Sequence, residues 1–274
     1  VLDEGLAHSA VAFAPDGESF AAGGGGGAIS IYQVAAFDDG GDPQYMPGHT
    51  GRVLSLVYSP LGDLLASGSA DETVRVWAAE DREMLAVLSF HDLDVTCVAF
   101  SPQGSYLASS SADGKVIIWD TAEAKRGAGK HVRRFSSSSL VSAVCFSPDG
   151  SYLATVASNT EICVYDLLSE SDDPRFTFGA KGIIASADSR TSSPRGTAKA
   201  LTFSPDGTRL ISGGSTGDAL VWMLEEQDED PDEPIRVLPY SGAGVATQVS
   251  YGITAIECTP DGERVGISYE DGTE

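Results

Sequence analysis

Cations are what this sequence has least of: 17 Lys and Arg stand against 40 Asp and Glu, for a net charge of −23. Nucleic-acid binding relies on Lys and Arg displacing counterions from phosphates, so direct nucleic-acid contact is not expected, nor is an anionic membrane surface as a partner. No apolar run approaches the roughly 18 residues of a membrane helix, and no charged-then-apolar leader opens the chain at Val1. Cysteine is limited to Cys97, Cys145, Cys163 and Cys258, with no Cys-x-x-Cys pair. Each falls in a stretch that reads as a strand, so buried free thiols in a reducing compartment are expected. The expected location is therefore intracellular, cytoplasmic or nuclear. There is no nucleophile elbow, no Cys/His pair at catalytic spacing and no metal-ligand cluster. The sequence thus predicts no enzyme, no cofactor, no metal and no small-molecule substrate.

What is abundant is glycine, 31 residues, alongside 42% hydrophobic content, a balance suited to many short strands and turns. A Pro-x-Gly turn recurs at Pro15-Asp16-Gly17, Pro60-Leu61-Gly62, Pro102-Gln103-Gly104, Pro148-Asp149-Gly150, Pro205-Asp206-Gly207 and Pro260-Asp261-Gly262, at intervals of 45, 42, 46, 57 and 55 residues. The clearest repeat is Gly48 to Trp77. Val53 to Ser59, Leu64 to Ser69 and Val74 to Trp77 read as three antiparallel strands, joined by Pro60-Leu61-Gly62 and by the tight turn Ala70-Asp71-Glu72. His49, Ser67, Asp71 and Trp77 punctuate it. An indole donates, a hydroxyl and an imidazole each do both, and a carboxylate accepts, so these four form a chain in which each link can be satisfied.

The next repeat carries the same four residues at the same spacings: His91, Ser109, Asp113 and Trp119. The first repeat is degenerate. Ala10 to Ala14 and Ser19 to Ala22 read as strands, Gly23 to Gly27 as a replacement for the tight turn, and Tyr32 stands in the Trp position. The glycine run lacks the Lys-Ser/Thr and helix of a phosphate loop, and His8 is out of step with His49. In the fourth repeat, Val141 to Ser147, Tyr152 to Ala157 and Glu161 to Tyr165 read as strands. There Ser137, Thr155, Asn159 and Tyr165 occupy the His, Ser, Asp and Trp positions. The fifth offers Pro194, Ser212, Thr216 and Trp222. The sixth runs through Ile253 to Cys258 and Arg264 to Tyr269 to the turn Glu270-Asp271-Gly272.

With Gly48-His49, the Ser and Asp at fixed spacing and the closing Trp, the chain resembles the WD40-repeat family, although Ala78 replaces the Asp that follows Trp in that family. The resemblance implies an all-β, WD40-type β-propeller over residues 1–274 as a single domain, with about five and a half blades present and seven when complete. The last blade ends after its second strand. The protein is therefore expected to continue by roughly 60 residues, or another element completes the ring. The family's tetrad of His, Ser, Asp and Trp implies a structural role for both sets, against a catalytic reading of their Ser-His-Asp composition.

The resemblance also implies a non-catalytic protein–protein interaction scaffold, a subunit or adaptor of a multiprotein assembly whose partners are peptide segments or complex subunits. Alternatives are a substrate receptor of a cullin-type ubiquitin ligase and, last, a propeller-fold enzyme. The ligase receptors carry a Trp-Asp-x-Arg box. Here Trp119-Asp120 is followed by Thr121-Ala122, and Trp77 by Ala78-Ala79-Glu80. The Phe-Arg-Arg-Gly motif of phosphoinositide-binding propellers is likewise absent at Val132-Arg133-Arg134-Phe135.

Loops are where function is expected. The third-to-fourth-strand loops gather acid on one face: Asp38, Asp39 and Asp42, then Glu80, Asp81 and Glu83, then Glu170, Asp172 and Asp173, then Glu225 to Glu233. A basic island (Lys125, Arg126, Lys130, His131, Arg133, Arg134) interrupts them. The opposite face carries insertions at Ala180 to Gly196, with the Ser/Thr-Pro stretch Ser189 to Arg195, and at Ser241 to Tyr251. A candidate partner-binding rim is assigned to Arg52, Glu72, Asp94 and Lys115, because they neighbour the tetrad turns.

Overall fold

The computed structural model describes residues 8–37, 41–159, 161–178, 198–215, 217–224, 236–238, 252–259 and 261–269. They form a succession of antiparallel sheets, each built from strands consecutive in sequence. The first sheet is β1 (His8–Phe13), β2 (Ser19–Gly24), β3 (Ile29–Gln33) and β4 (Gln44–Met46). The second is β5 (Val53–Tyr58), β6 (Leu64–Ser69), β7 (Thr73–Ala78) and β8 (Met84–Ser89). The third is β9 (Val95–Phe100), β10 (Tyr106–Ser111), β11 (Lys115–Asp120) and β12 (His131–Ser136). Then come β13 (Val141–Phe146), β14 (Tyr152–Ala157), β15 (Ile162–Asp166) and β16 (Phe176–Phe178), followed by β17 (Ala198–Phe203), β18 (Arg209–Gly214), β19 (Ala219–Met223) and β20 (Arg236–Leu238). A two-stranded sheet, β21 (Ile253–Cys258) and β22 (Val265–Tyr269), ends the series.

The chain divides into two compact units, Val1–Val141 and Ser142–Glu274. In the first, β1 packs against β5 and β5 against β9. One core lies between the first two sheets, with Ala21, Ile29, Val53, Leu56, Leu65 and Trp77. Another lies between the second and third, with Val74, Leu88, Val95, Val98, Leu107 and Trp119. In the second unit β17 packs on β21, around Ile211, Val221, Ile253 and Ile256. Several second strands are almost wholly buried: all six residues of β6, and five of six in β10, β14 and β18. This is what sheets covered on both faces require, and it explains why these strands read as continuous small and apolar runs without alternation.

Two local devices repeat. Each Pro-x-Gly glycine has a positive φ, 71–77°, which a residue lacking Cβ adopts without strain. Its N–H closes the turn onto the residue before the proline, as in Gly62 to Ser59 O at 2.9 Å. Five of the sheets also show a register shift at the start of their first strand, as between Val53 and Ser55. A bulge at a fixed position turns the strand end and increases its twist.

Several expectations change. Gly23 and Gly24 complete β2, so the glycine run is part strand and part turn. Gly23 pairs with Ala10 and Ile29 in the ladder, and the position needs glycine because a Cβ would lie 2.7 Å from Val53 Cγ1. Two short helices, α1 (Val34–Phe37) and α2 (Thr121–Lys125), stand where loops were read. Asp120 nucleates α2 by accepting the Glu123 N–H at 3.1 Å, a helix cap. The basic island therefore lies on α2 and on strand β12 as well as on the connection between them. The four cysteines, expected to be buried, form no disulfide and are only half-buried. Burial, then the Glu161 charge, pushes the Cys163 thiol up to about 11, leaving it protonated at neutral pH. Asp38, Asp39, Glu225 to Glu233, Ala180 to Gly196, Ser241 to Tyr251 and the turn at Glu270 lie outside the described residues.

Sheet spacing sets a sharp test. A Cβ on Gly68 would meet Val95 Cγ1 at 2.7 Å, and the β-branched Val95 has little rotameric freedom to yield. Gly68→Ala is expected to lose about 1–3 kcal/mol, read as a lower urea midpoint, whereas the same change at Gly25, where nothing lies within 4 Å, leaves the midpoint near wild type.

Candidate functional site

The second sheet brings His49, Ser67, Asp71 and Trp77 together. Ser67 is central on β6 and Trp77 lies on β7; the indole is 2% exposed and the serine 0%. Trp77 Nε1–H donates to Ser67 Oγ at 2.9 Å. The same oxygen lies 2.7 Å from His49 Nε2, and His49 Nδ1 lies 2.9 Å from Asp71 Oδ2. Because the carboxylate can only accept, Nδ1 carries the proton, and a neutral imidazole leaves Nε2 to accept the serine hydroxyl. The third sheet repeats this. Trp119 Nε1 to Ser109 Oγ is 2.9 Å, Ser109 Oγ to His91 Nε2 is 2.8 Å, and His91 Nδ1 to Asp113 is a longer 3.4 Å.

Burial lowers the pKa of both histidines, and their aspartates only partly offset it. Burial also opposes ionisation of Asp71, but the Thr73 hydroxyl, the Thr50 N–H and His49 outweigh it and hold the carboxyl at about 2. Asp113 is lowered likewise: burial works against it, while the backbone N–H groups of Asp92 and Lys115 prevail. At neutral pH each pair is therefore a carboxylate hydrogen-bonded to a neutral imidazole. Each serine hydroxyl is fully buried and already bonded on both sides, so neither is available as a nucleophile.

The weaker repeats keep parts of this. Trp222 Nε1 donates to Ser212 Oγ at 2.9 Å, both buried; Thr216 and Pro194 lie outside the described residues. In the fourth sheet Tyr165 sits opposite Leu153, as Trp77 sits opposite Leu65. Thr155 Oγ1 reaches the Cys163 carbonyl at 3.5 Å. Asn159, however, is exposed and folds onto its own turn, accepting the Glu161 N–H at 3.2 Å. Ser137 accepts the Ser139 N–H instead of standing in for a histidine. A serine hydroxyl is too short to do what an imidazole does, and the spacing alone did not show this.

The rim residues fall into two pairs at the tetrad ends of their sheets. Arg52 O accepts the Ala70 N–H beside Glu72, and Asp94 O accepts the Ala112 N–H near Lys115. Arg52, Glu72 and Asp94 are exposed. Glu72 takes φ 69° to close its turn, and Arg52 Nε donates to Ser9 Oγ at 3.1 Å. Lys115 is not a free cation: it bonds Asp92 and lies 3.4 Å from Asp113, so it supports the third tetrad. Among the described residues no group of three or more His, Cys, Asp or Glu is placed to hold a metal, and no helix is long and apolar enough to cross a membrane.

The repeated tetrads and four-stranded sheets agree with the comparisons. The family model described as "WD domain, G-beta repeat" matches residues 41–78, 82–120, 129–166 and 189–222, more than half of the chain. The chain belongs to the WD40 family. Its WD40 β-propeller fold is also that of the crystal structure of the WD40 beta propeller domain of Doa1. That likeness has a TM-score of 0.73 over 97% of this chain and 76% of the other, and at 18% identity it bears on fold alone. Curated WD40 relatives match over shorter stretches. WD repeat and HMG-box DNA-binding protein 1 of Xenopus laevis is 37% identical over 78 residues, 28% of this chain and 7% of that protein. WD repeat-containing protein 82 of Drosophila melanogaster is 53% identical over 34 residues, 12% of this chain and 11% of that protein. Actin-interacting protein 1 of the same fly is 34% identical over 77 residues, 28% of this chain and 12% of that protein. The aligned stretches thus span no more than 12% of these relatives.

Two measurements follow. Ser67→Ala strands the buried Trp77 N–H and His49 Nε2 and is expected to cost about 1–3 kcal/mol for each group; unchanged denaturant midpoints would contradict the bonding described. The acid limb of stability is the second. The folded histidines resist protons that the unfolded ones accept, so stability falls as pH drops below about 6.5. It falls again below about 4, as Asp71 and Asp113 take up protons they refuse when folded. His49→Gln combined with His91→Gln is expected to flatten the upper limb and keep the lower one, in melting temperature against pH.

Proposed function

We propose that this chain is a non-catalytic protein-interaction scaffold, a subunit or adaptor of a multiprotein assembly, with residues 1–274 belonging to a single propeller domain. The observation that carries this reading is the state of its Ser-His-Asp sets. They have the composition of a hydrolytic triad, yet both are buried and fully bonded to tryptophan. What faces solvent is instead charge suited to partners: Glu80, Asp81 and Glu83 after the second sheet's third strand, and Glu170, Asp172 and Asp173 after the fourth's. Charge complementarity of this kind governs partner choice and association rate more than affinity. The family supports the same reading, since WD40 domains bind other proteins, and one relative is named for its interaction with actin. An intracellular setting, cytoplasmic or nuclear, fits four cysteines that form no disulfide.

Affinity purification of the intact protein from its native cells, then size-exclusion chromatography and mass spectrometry, tests this. A stoichiometric set of proteins co-eluting in one large peak is the expected outcome. A protein that elutes alone at every concentration contradicts it.

A further inference from the structure

Five of the six Pro-x-Gly turns place Asp or Gln between the proline and the glycine: Asp16, Gln103, Asp149, Asp206 and Asp261. The aspartates cap their own turns; Asp149 and Asp206 each accept a backbone N–H two residues on, at 3.0 Å. The turn between β5 and β6 breaks the pattern with Leu61, 82% exposed. Asp63 takes over part of the capping by accepting the Ser59 hydroxyl at 2.8 Å. The fold therefore gains nothing from an apolar residue at this position.

Leu61 lines a cavity of about 350 Å³ between the second and third sheets, walled also by Tyr106, Thr121 and Lys125. Tyr106 is 42% exposed. Lys125 reaches from α2 to Asp63 at 2.6 Å, tying the two walls together. The Thr121 hydroxyl, on a residue only 4% exposed, has no hydrogen-bond partner, a condition with a measurable cost inside a protein. The surroundings are mostly acidic. Glu80, Asp81 and Glu83 are exposed on the second sheet's loop, whose Ala79 N–H bonds Asp63 O at 3.0 Å. Arg126 is already paired with Glu123 at 2.7 Å.

We propose that this cleft is a docking site for a short segment of a partner protein that alternates basic and apolar side chains. This rests on the scaffold reading above and gives it a location and a partner chemistry. The apolar side chains cover Leu61 and Tyr106, and the basic ones meet the exposed acid of Glu80, Asp81 and Glu83, since Asp63 is already paired with Lys125. Opposite charge at the rim with an apolar anchor at the centre is the usual division of labour in such contacts.

The probe is a set of short fluorescein-labelled peptides alternating Lys or Arg with Leu or Phe, with a matched set carrying Glu for the cations, read by fluorescence anisotropy. Leu61→Asp restores the residue of the sister turns and so preserves the fold. Leu168→Asp is the control, since Leu168 is equally exposed (83%) in another sheet's loop. The basic peptides should bind wild type and Leu168→Asp alike and weaken with added salt. Leu61→Asp and Tyr106→Ser, melting as wild type does, should weaken them about tenfold or more. Absence of binding to wild type, equal binding by Leu61→Asp, or equal binding of the Glu peptides overturns the proposal. If Leu61→Asp keeps every protein that co-purifies with wild type, the cleft fails while the scaffold reading stands; if wild type itself brings down none, the scaffold reading fails.

Discussion

The hydrogen-bonded chain from tryptophan through serine and histidine to aspartate is the constraint on which the second and third sheets depend. It links three strands' worth of structure across a sheet. The indole is on the third strand, the hydroxyl on the second, and the imidazole in the segment leading to the first. The carboxylate sits in the turn between second and third strands. Each member is buried enough that losing its neighbour leaves an uncompensated polar group, which makes the set cooperative. The same bonding fixes the chemistry, because an imidazole held neutral between a carboxylate and a hydroxyl has no lone pair or proton to spare.

Around that chain the remaining devices are steric. Small residues on the second strands let adjacent sheets approach closely, so that Val95 and Val98 lie against Gly68, and Ile253 and Ile256 against Gly213. The Pro-x-Gly turns pack successively, Gly62 beside Pro15 and Gly104 beside Pro60. Side chains from one sheet also bond the backbone of the next, as Ser9 to the Val53 carbonyl at 2.7 Å. A unit that cannot bury its faces alone is thereby stabilised by its neighbours.

Much of this was legible in the sequence because it is periodic. The turn motif gave the repeat, and Leu64 to Ser69 was bounded correctly since a tight turn flanks each end. The tetrad side chains came together at the positions their spacing indicated. What was not legible depends on contacts absent from any periodic pattern. Gly23 is a strand residue that must be glycine because Val53 leaves no room for a side chain, and α2 starts at its Asp120 cap. Lys115 is assigned to the rim for its place beside a tetrad turn, and its pairing with Asp92 and Asp113 shows only in the folded contacts. Asn159 and Ser137 hold equivalent positions by number, but Asn159 bonds within its own turn and the Ser137 hydroxyl is too short to act as an imidazole. Leu61 carried a readable signal, an apolar residue where sister turns have Asp or Gln, and only its exposure beside a cleft gave that signal meaning.

The surface and the interior thus divide the work. The interior consumes the reactive-looking side chains in holding sheets together, and the exposed loops carry acidic charge. The most direct test of the tetrad account is long-range proton–nitrogen NMR of the His49 and His91 rings across pH 5 to 7.5, the range in which an ordinary imidazole titrates. The account predicts neutral rings protonated at Nδ1, unchanged well below the usual histidine range. Rings protonated at Nε2, or titrating as a solvent-exposed imidazole does, would contradict it.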